Sequence, residues 1–144
     1  MPMLVRCIYA SRAKDRGDVA ALDSILAQSR ANNSARGITG LLCLADGAFA
    51  QVLEGGRAEV SRLLGAIMRD PRHENVEIIQ FEEIAERRFG AWTMGQIDAH
   101  SVNGALILRY SKTSTFDPFG GGAATTLALL TEIAASGTVF CRGD

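Results

Sequence analysis

The stretch "ITGLLCLADGAFAQVLEGG", residues 38–56, decides the fold because it predicts two strands joined by a tight turn. Residues 38–45 form an almost unbroken apolar run of strand length. Asp46-Gly47 is a strong signal for a hairpin turn, and the pattern of residues 48–54 is typical of a strand. The stretch therefore predicts an antiparallel hairpin that pairs the second and third strands.

The second strand of this hairpin carries an amide where an aliphatic side chain is expected. Phe49, Gln51 and Leu53 share one face, because side chains alternate along a strand with a period of two. A buried amide without a hydrogen-bond partner is costly. Gln51 therefore needs a polar partner within the protein or on a ligand.

The remaining apolar patterns predict a split β-α-β arrangement. We predict strands at 4–11, 76–81 and 92–98 and helices from Asp18 to about Asn33, around 60–68 and at 123–137. The order is βαββαββ, a ferredoxin-like α+β fold with a mixed sheet and two helices on one face. Residues 1–98 then form one domain, and residues 99–144 form a C-terminal helical extension.

The other face of the predicted sheet is too apolar to be exposed to water. It carries Leu4, Ile8, Ala10 and Val52. Apolar sheet faces must be buried, either under the C-terminal helix or against a second subunit. We favour the C-terminal helix as the cover.

Composition excludes several classes of protein. The 144-residue chain is 47% hydrophobic and 22% charged with a formal charge of -1, so it lacks the basic surplus that nucleic-acid binding needs. Its three cysteines, Cys7, Cys43 and Cys141, are widely spaced, which favours a reducing compartment and gives no metal-ligand cluster. Without a long uninterrupted apolar segment, we predict a cytoplasmic protein with no membrane span.

Other polar side chains fall on the same predicted face as Gln51. Tyr9 shares the inner face of the first strand with Val5 and Cys7. On the first helix, Asn33 follows Leu26 by seven residues and Asn32 follows Ile25 by seven.

Two interpretations of these polar groups remain open. The phenol and amides can form a structural hydrogen-bond cluster, with the asparagines capping the helix end. Alternatively they line a pocket for a flat heteroaromatic ligand with carbonyl and ring-nitrogen acceptors.

No catalytic constellation is apparent, so we predict that the protein is not an enzyme. Carboxylates do not pair at catalytic spacing, the serines have no identifiable base, and no phosphate-binding loop is present. His73 is interpreted as a turn or interface residue. Trp92 and Met94 are expected to share a face at i, i+2, as core residues or as a lid.

Five blocks together resemble the BLUF domain, a blue-light sensor that uses a flavin. They are "RCIYAS" (6–11), "SRANNSARGITGLL" (29–42), "DGAFAQVLEGG" (46–56), "DPRHENVEII" (70–79) and "AERRFGAWTMG" (85–95). The resemblance covers about residues 3–97, and the family has the fold predicted above. The short C-terminal extension is similar to that of the family's short stand-alone members.

The resemblance implies a photoactive pair. Tyr9 matches the tyrosine that donates an electron and a proton to the excited flavin, and Gln51 matches the glutamine between that phenol and the flavin. Rearrangement of Gln51 would strengthen a hydrogen bond to the flavin and give a red-shifted signalling state. The signal would then pass through the fifth strand and the C-terminal segment to a partner.

The resemblance also implies a set of flavin contacts. Asn33 matches the asparagine that holds the edge of the flavin ring. Asn32 falls at a neighbouring position that varies within the family and also contacts the flavin, and Ile25 matches an aliphatic residue that packs on the ring. Trp92 and Met94 match a pair on the fifth strand with a switch or lid role, and which of them faces the flavin is left open. The expected cofactor is FAD, with FMN or riboflavin possible.

The expected partners are proteins. We expect an unidentified downstream protein and a homodimer, with no nucleic acid and no membrane. The alternative function is a ferredoxin-like small-ligand regulatory or oligomerisation domain without photochemistry. An acylphosphatase-like enzyme shares the topology but lacks the required phosphate loop.

Overall fold

A computed structural model describes residues 3–14, 19–45, 47–98, 102–136 and 139–140. Its elements are β1 (Leu4–Ala13), α1 (Val19–Arg36), β2 (Thr39–Ala45), β3 (Ala48–Gly56), α2 (Arg57–Arg69), β4 (His73–Ile84), β5 (Gly95–Asp98), α3 (Gly104–Tyr110), α4 (Ala123–Ala135) and β6 (Val139–Phe140). The predicted helix start Asp18, the turn residue Asp46 and Cys141 lie outside the described residues.

The strands form one mixed sheet with the order β4-β1-β3-β2-β5-β6. β3 pairs antiparallel with both β1 and β2, and β2 pairs parallel with β5. This order confirms the ferredoxin-like α+β prediction, in which β1 and β2 run parallel on either side of β3. The β1–β3 register sets Tyr9 directly opposite Gln51.

Helices α1 and α2 cover one face of the sheet, as predicted, over an inner cluster of buried apolar residues. Its members are Val5, Cys7, Tyr9, Ala13, Ile25, Leu26, Ile38, Leu42, Phe49, Leu53, Val60, Leu64 and Met94. The period-two assignment of β1 and β3 is therefore correct: Tyr9 and Gln51 belong to the face that the helices bury.

The C-terminal segment covers the other face, which confirms the favoured cover. The outer cluster consists of Ile8, Leu41, Cys43, Ala45, Ala50, Val52, Phe89, Ile97, Ile107, Leu129, Leu130 and Ile133. Three of these residues lie on α4 and one on α3, so both helices contribute to burying the sheet. The final strand β6 also pairs with β5 and extends the same sheet.

The fifth strand and the C-terminal elements differ from the prediction. β5 begins at Gly95 rather than at residue 92, because residues 91–94 form turns and bends. α3 and β6 were not predicted, since a seven-residue helix and a two-residue strand leave little periodic pattern. β4 begins at His73, three residues before the predicted start.

A buried ion pair fixes the loop between β4 and β5 to the sheet. Arg6 Nε donates to Glu54 Oε2 at 2.8 Å, and both side chains are almost completely buried. The Glu54 carboxylate also accepts from the backbone N–H groups of Arg88 at 3.0 Å and Phe89 at 2.7 Å. All three donors converge on one carboxylate, so this charge is compensated.

We predict that Glu54→Gln lowers the free energy of unfolding by about 3 kcal/mol, because the buried Arg6 guanidinium then keeps only the partly exposed Glu82 as a counter-charge. Urea unfolding at neutral pH measures the change. Glu82→Gln is the matched control, since Glu82 contacts the same arginine but is 44% exposed, and it should cost less than about 1 kcal/mol. Equal losses in the two variants would contradict this account of the buried pair.

Candidate functional site

A chain of three hydrogen-bonded side chains lies on the inner face of the sheet. The Tyr9 phenol donates a hydrogen bond to Gln51 Oε1. Gln51 Nε2 in turn donates to Met94 Sδ at 3.3 Å. A thioether sulfur has no proton to donate, so this arrangement fixes which end of the Gln51 amide faces Tyr9. All three side chains are buried.

A cavity of about 390 Å³ opens beside this chain, between α1 and α2. Its floor is Tyr9 and Gln51. One wall comes from α1, the other from α2, and the turn at 70–73 closes one end. The volume lies in the range typical of small-molecule sites.

The α1 wall carries the predicted residues Ile25, Asn32 and Asn33. Asn33 is 1% exposed, and neither its Oδ1 nor its Nδ2 has a hydrogen-bond partner among the described residues. Its side chain does not cap α1, which continues to Arg36. Ile25 is buried, whereas Asn32 is exposed at the cavity wall.

The structure fits the structural-cluster interpretation for Tyr9 and Gln51 but not for Asn33. Tyr9 and Gln51 satisfy each other, as a structural cluster would. Asn33 does not join them, so a purely structural cluster leaves a buried amide unpaired at a cost of about 1 to 3 kcal/mol. The cavity therefore has an amide donor and acceptor available for a ligand.

An arginine connects the turn before β4 to α1 across the cavity end. Arg72 donates to Ser24 Oγ at 3.0 Å and to Gln28 Oε1 at 2.7 Å. It also forms an ion pair with Asp70, and the hydrogen bonds from Arg72 lower the pKa of that carboxyl. Sequence reasoning missed this contact, although "DPR" is a turn signal next to a helix end.

His73 is a buried wall residue, which corrects its interpretation as a turn or interface histidine. It begins β4, is 7% exposed, and its Nδ1 lies 2.8 Å from Ser11 Oγ. Its ring contacts Phe49, with centroids 4.8 Å apart, and meets Tyr9 edge-on at 6.2 Å. The earlier start of β4 draws the ring beneath the helices.

Trp92 and Met94 do not share a face, contrary to the prediction. Met94 is fully buried in the inner cluster against Gln51, whereas Trp92 packs against the outer cluster. The period of two holds only in a strand, and β5 begins one residue after Met94. Met94 is therefore the member of the pair that lies beside Gln51 in this structure.

Burial controls the protonation of the site. It raises the pKa of the Tyr9 phenol well above its ordinary value, with smaller contributions from Cys7 and Asp70. Burial also raises the pKa of the Cys7 thiol to about 12. Both groups are therefore neutral at physiological pH, and Tyr9 is a hydrogen-bond donor.

Within the described ranges, no group of three or more histidine, cysteine, aspartate or glutamate residues is placed to hold a metal ion. No helix in the part of the chain that the structure covers is long and apolar enough to cross a membrane.

The fold and the cavity together define a ferredoxin-like domain with a polar ligand cavity between its two sheet-covering helices. Comparison with known protein families identifies the family to which this domain belongs. The BLUF family, "Sensors of blue-light using FAD", matches residues 4–95. The chain belongs to the BLUF family, whose members are flavin-binding blue-light sensors.

Curated relatives agree with this assignment. The "Blue light- and temperature-regulated antirepressor BluF" of Escherichia coli (strain K12) is 31% identical over 96 residues, which are 67% of this chain and 24% of that protein. The "Photoactivated adenylate cyclase subunit beta" of Euglena longa is 35% identical over 92 residues, 63% of this chain and 11% of that protein. The chain thus matches a quarter or less of these relatives' length.

Solved structures match nearly the whole chain. "BlsA photo-activated state" has a TM-score of 0.82 and 32% identity, over 90% of this chain and 94% of that chain. "BlrB - a BLUF protein, dark state structure" has a TM-score of 0.79 and 31% identity, over 94% and 98% respectively. These relationships support a light sensor over the alternative of a regulatory domain without photochemistry.

The position of His73 predicts a pH-dependent stability. Burial lowers the pKa of its imidazole, with Arg72 adding to the shift and Asp70 opposing it. The unfolded chain, with a histidine pKa of about 6.5, therefore binds more protons than the folded one as the pH falls. We expect the free energy of unfolding to decrease between pH 7.5 and pH 5.5.

Denaturant unfolding across this range measures the effect. The free energy of unfolding of His73→Gln should decrease less over this range, because glutamine keeps a polar group near Ser11 but does not titrate. Parallel pH profiles for the two proteins would show that His73 is not the group responsible.

Proposed function

We propose that this chain senses blue light through FAD bound in the cavity between α1 and α2, with Tyr9 and Gln51 as its photoactive residues. The unpartnered amide of Asn33 carries this assignment. The family's cofactor is FAD, and FMN or riboflavin would suit the ring-binding residues equally.

The donors and acceptors of the cavity fit a flavin. Asn33 offers a carbonyl oxygen and an amide N–H₂ to a ring edge that has both a carbonyl and an N–H group. Ile25 supplies an apolar contact for a ring face, and Asn32 a second polar contact at the wall. These residues would hold the isoalloxazine ring.

Excess positive charge at the rim suits a phosphate-bearing cofactor. Arg36 and Arg69 line the cavity and are exposed. Asp70 is already paired with Arg72, so the two outer arginines remain as the uncompensated charges among the residues that line the cavity. We assign them to the flavin phosphates.

When bound, FAD supplies the absorption of blue light and an acceptor for an electron. Tyr9 is the donor, because its neutral phenol is already hydrogen-bonded to an amide that can pass a proton onward. Gln51 has both an acceptor and a donor group, so it can change its hydrogen bonds without a net chemical change.

A rearranged Gln51 would disturb Met94. Turning the amide by half a revolution would place Oε1 against Met94 Sδ, and two acceptors cannot form a hydrogen bond. The Met94 carbonyl accepts from Arg30 Nε at 3.2 Å, and β5 begins at the next residue. A change at Gln51 would therefore reach β5.

From β5 the signal would reach the C-terminal helices. Ile97 packs in the outer cluster with Ile107 of α3 and Ile133 of α4. A second contact joins β1 to the loop before α4, because the Arg12 guanidinium stacks over the Phe119 ring at 4.4 Å. We propose that light alters the packing of residues 104–135.

We further propose output to a separate protein and assembly as a homodimer. Relatives named as an antirepressor and as cyclase subunits support coupling to an effector. Exposed Ile78 and Phe81 on the edge strand β4 support an apolar contact between protein chains there. The division into residues 1–98 and 99–144, the absence of enzyme activity and the cytoplasmic location stay predictions.

We expect Tyr9→Phe and Gln51→Leu each to abolish the reversible, light-induced red shift of the flavin absorption spectrum. The first removes the proton donor, and the second removes the amide that changes partners. Both variants should retain flavin, because Asn33 and Ile25 remain. A red shift that persists in Gln51→Leu would contradict the role given to this residue.

Asn33→Leu should affect flavin binding and protein stability in opposite directions. The variant removes a buried amide that has no partner, so the flavin-free protein should gain about 1 kcal/mol in free energy of unfolding. Its flavin affinity should fall about tenfold or more, measured by fluorescence titration.

Asn32→Leu, at the exposed neighbour, is the matched control and should change stability little. If Asn33→Leu bound flavin as tightly as the wild type, the assignment of Asn33 would be wrong.

A further inference from the structure

A second cavity, of about 710 Å³, lies in the C-terminal segment. It is bounded by the end of α3, the loop at 111–122 and the first turns of α4. It shares no lining residue with the cavity between α1 and α2. The photochemical function described above makes no use of it.

The N-terminus of α4 faces this cavity. α4 has 13 residues, and its N-cap Gly122 provides no side-chain hydrogen bond. The first intrahelical bond runs from Thr126 N to Gly122 O, so the N–H groups of residues 123–125 have no intrahelical partner. Such N–H groups, together with the helix dipole, favour an anion.

The Thr126 side chain independently indicates a ligand. This residue is 3% exposed and lines the cavity, and no hydrogen bond joins its hydroxyl to another described residue. Thr131 of the same helix shows the usual alternative, because its hydroxyl donates to Leu127 O at 2.7 Å. A hydroxyl that lines a cavity and bonds no other described group is available to a polar ligand.

The glycines before α4 keep this hydroxyl accessible. A Cβ atom at Gly121 would lie only 3.0 Å from Thr126 Oγ1, and a Cβ at Gly122 would point into open space. The absence of side chains at these positions leaves room for a ligand atom against the first turn of α4.

The charges and the apolar wall define the class of ligand. Arg109 and Lys112 line the cavity, and the one acidic residue in its lining, Asp117, is engaged by the Phe119 N–H at 3.1 Å. The side chains of Tyr110 and Phe116 add an aromatic surface. Two cations, free N–H groups and a hydroxyl match a phosphate, and the aromatic surface suits an organic body attached to it.

We propose that this cavity binds a small organic phosphate, with the phosphate group at the N-terminus of α4 on the Thr126 hydroxyl and close to Arg109 and Lys112. This site uses none of the residues that line the flavin cavity.

Titration of the ¹⁵N-labelled, flavin-loaded protein tests this site, with inorganic phosphate and phenyl phosphate as probes and chloride keeping the ionic strength constant. We expect saturable shifts of the amide signals of residues 120–126. Phenyl phosphate should bind several-fold more tightly than inorganic phosphate, because its ring contacts the aromatic surface.

Thr126→Val should weaken binding of both probes about tenfold, since it removes one hydrogen bond to a charged group without changing side-chain size. Thr131→Val is the matched control and should bind as the wild type does. Lys112→Gln, at an exposed position, should also weaken binding and supplies a second variant that leaves the core unchanged.

Three results would overturn the proposal. They are the absence of saturable shifts at residues 120–126, shifts confined to the walls of the flavin cavity, and equal affinity of Thr126→Val and the wild type. Equal affinity of the wild type for the two probes would contradict the organic phosphate as the class of ligand.

Discussion

The register between β1 and β3 is the constraint on which the rest of the site depends. It sets Tyr9 directly opposite Gln51, with both side chains on the face that α1 and α2 cover. A shift of one residue would move every side chain of one strand to the other face of the sheet. The phenol and the amide would then be separated by the backbone, and no proton could pass between them.

The same strand also holds the loop that leads to β5. Gln51 points to the inner face and contacts Met94. Glu54 points to the outer face and accepts hydrogen bonds from the backbone N–H groups of Arg88 and Phe89. The loop is thus attached to β3 at two points, on opposite faces of the sheet. A rotation of the Gln51 amide would therefore move the Met94 end of the loop, while Glu54 holds Arg88 and Phe89 in place.

Most of the fold and the floor of the site follow from the sequence, because strands and helices impose fixed periods. The period of two placed Tyr9 and Gln51 together, and the helical spacing placed Asn33 above them. The prediction failed for Trp92 and Met94, since residues 91–94 form turns to which no period applies. The wall residue His73 was missed because its burial depends on where β4 begins, a boundary that local pattern does not define.

We propose that light turns the Gln51 side-chain amide and so breaks its hydrogen bond to Met94 Sδ. Side-chain amide NMR of ¹⁵N-glutamine-labelled, flavin-loaded protein tests it most directly, with spectra recorded in darkness, under blue light and after recovery. We expect the Gln51 amide signals to shift under light together with the Met94 methyl signal, and both to return in darkness. Gln51 amide signals that stay unchanged while the flavin spectrum shifts to the red would contradict it.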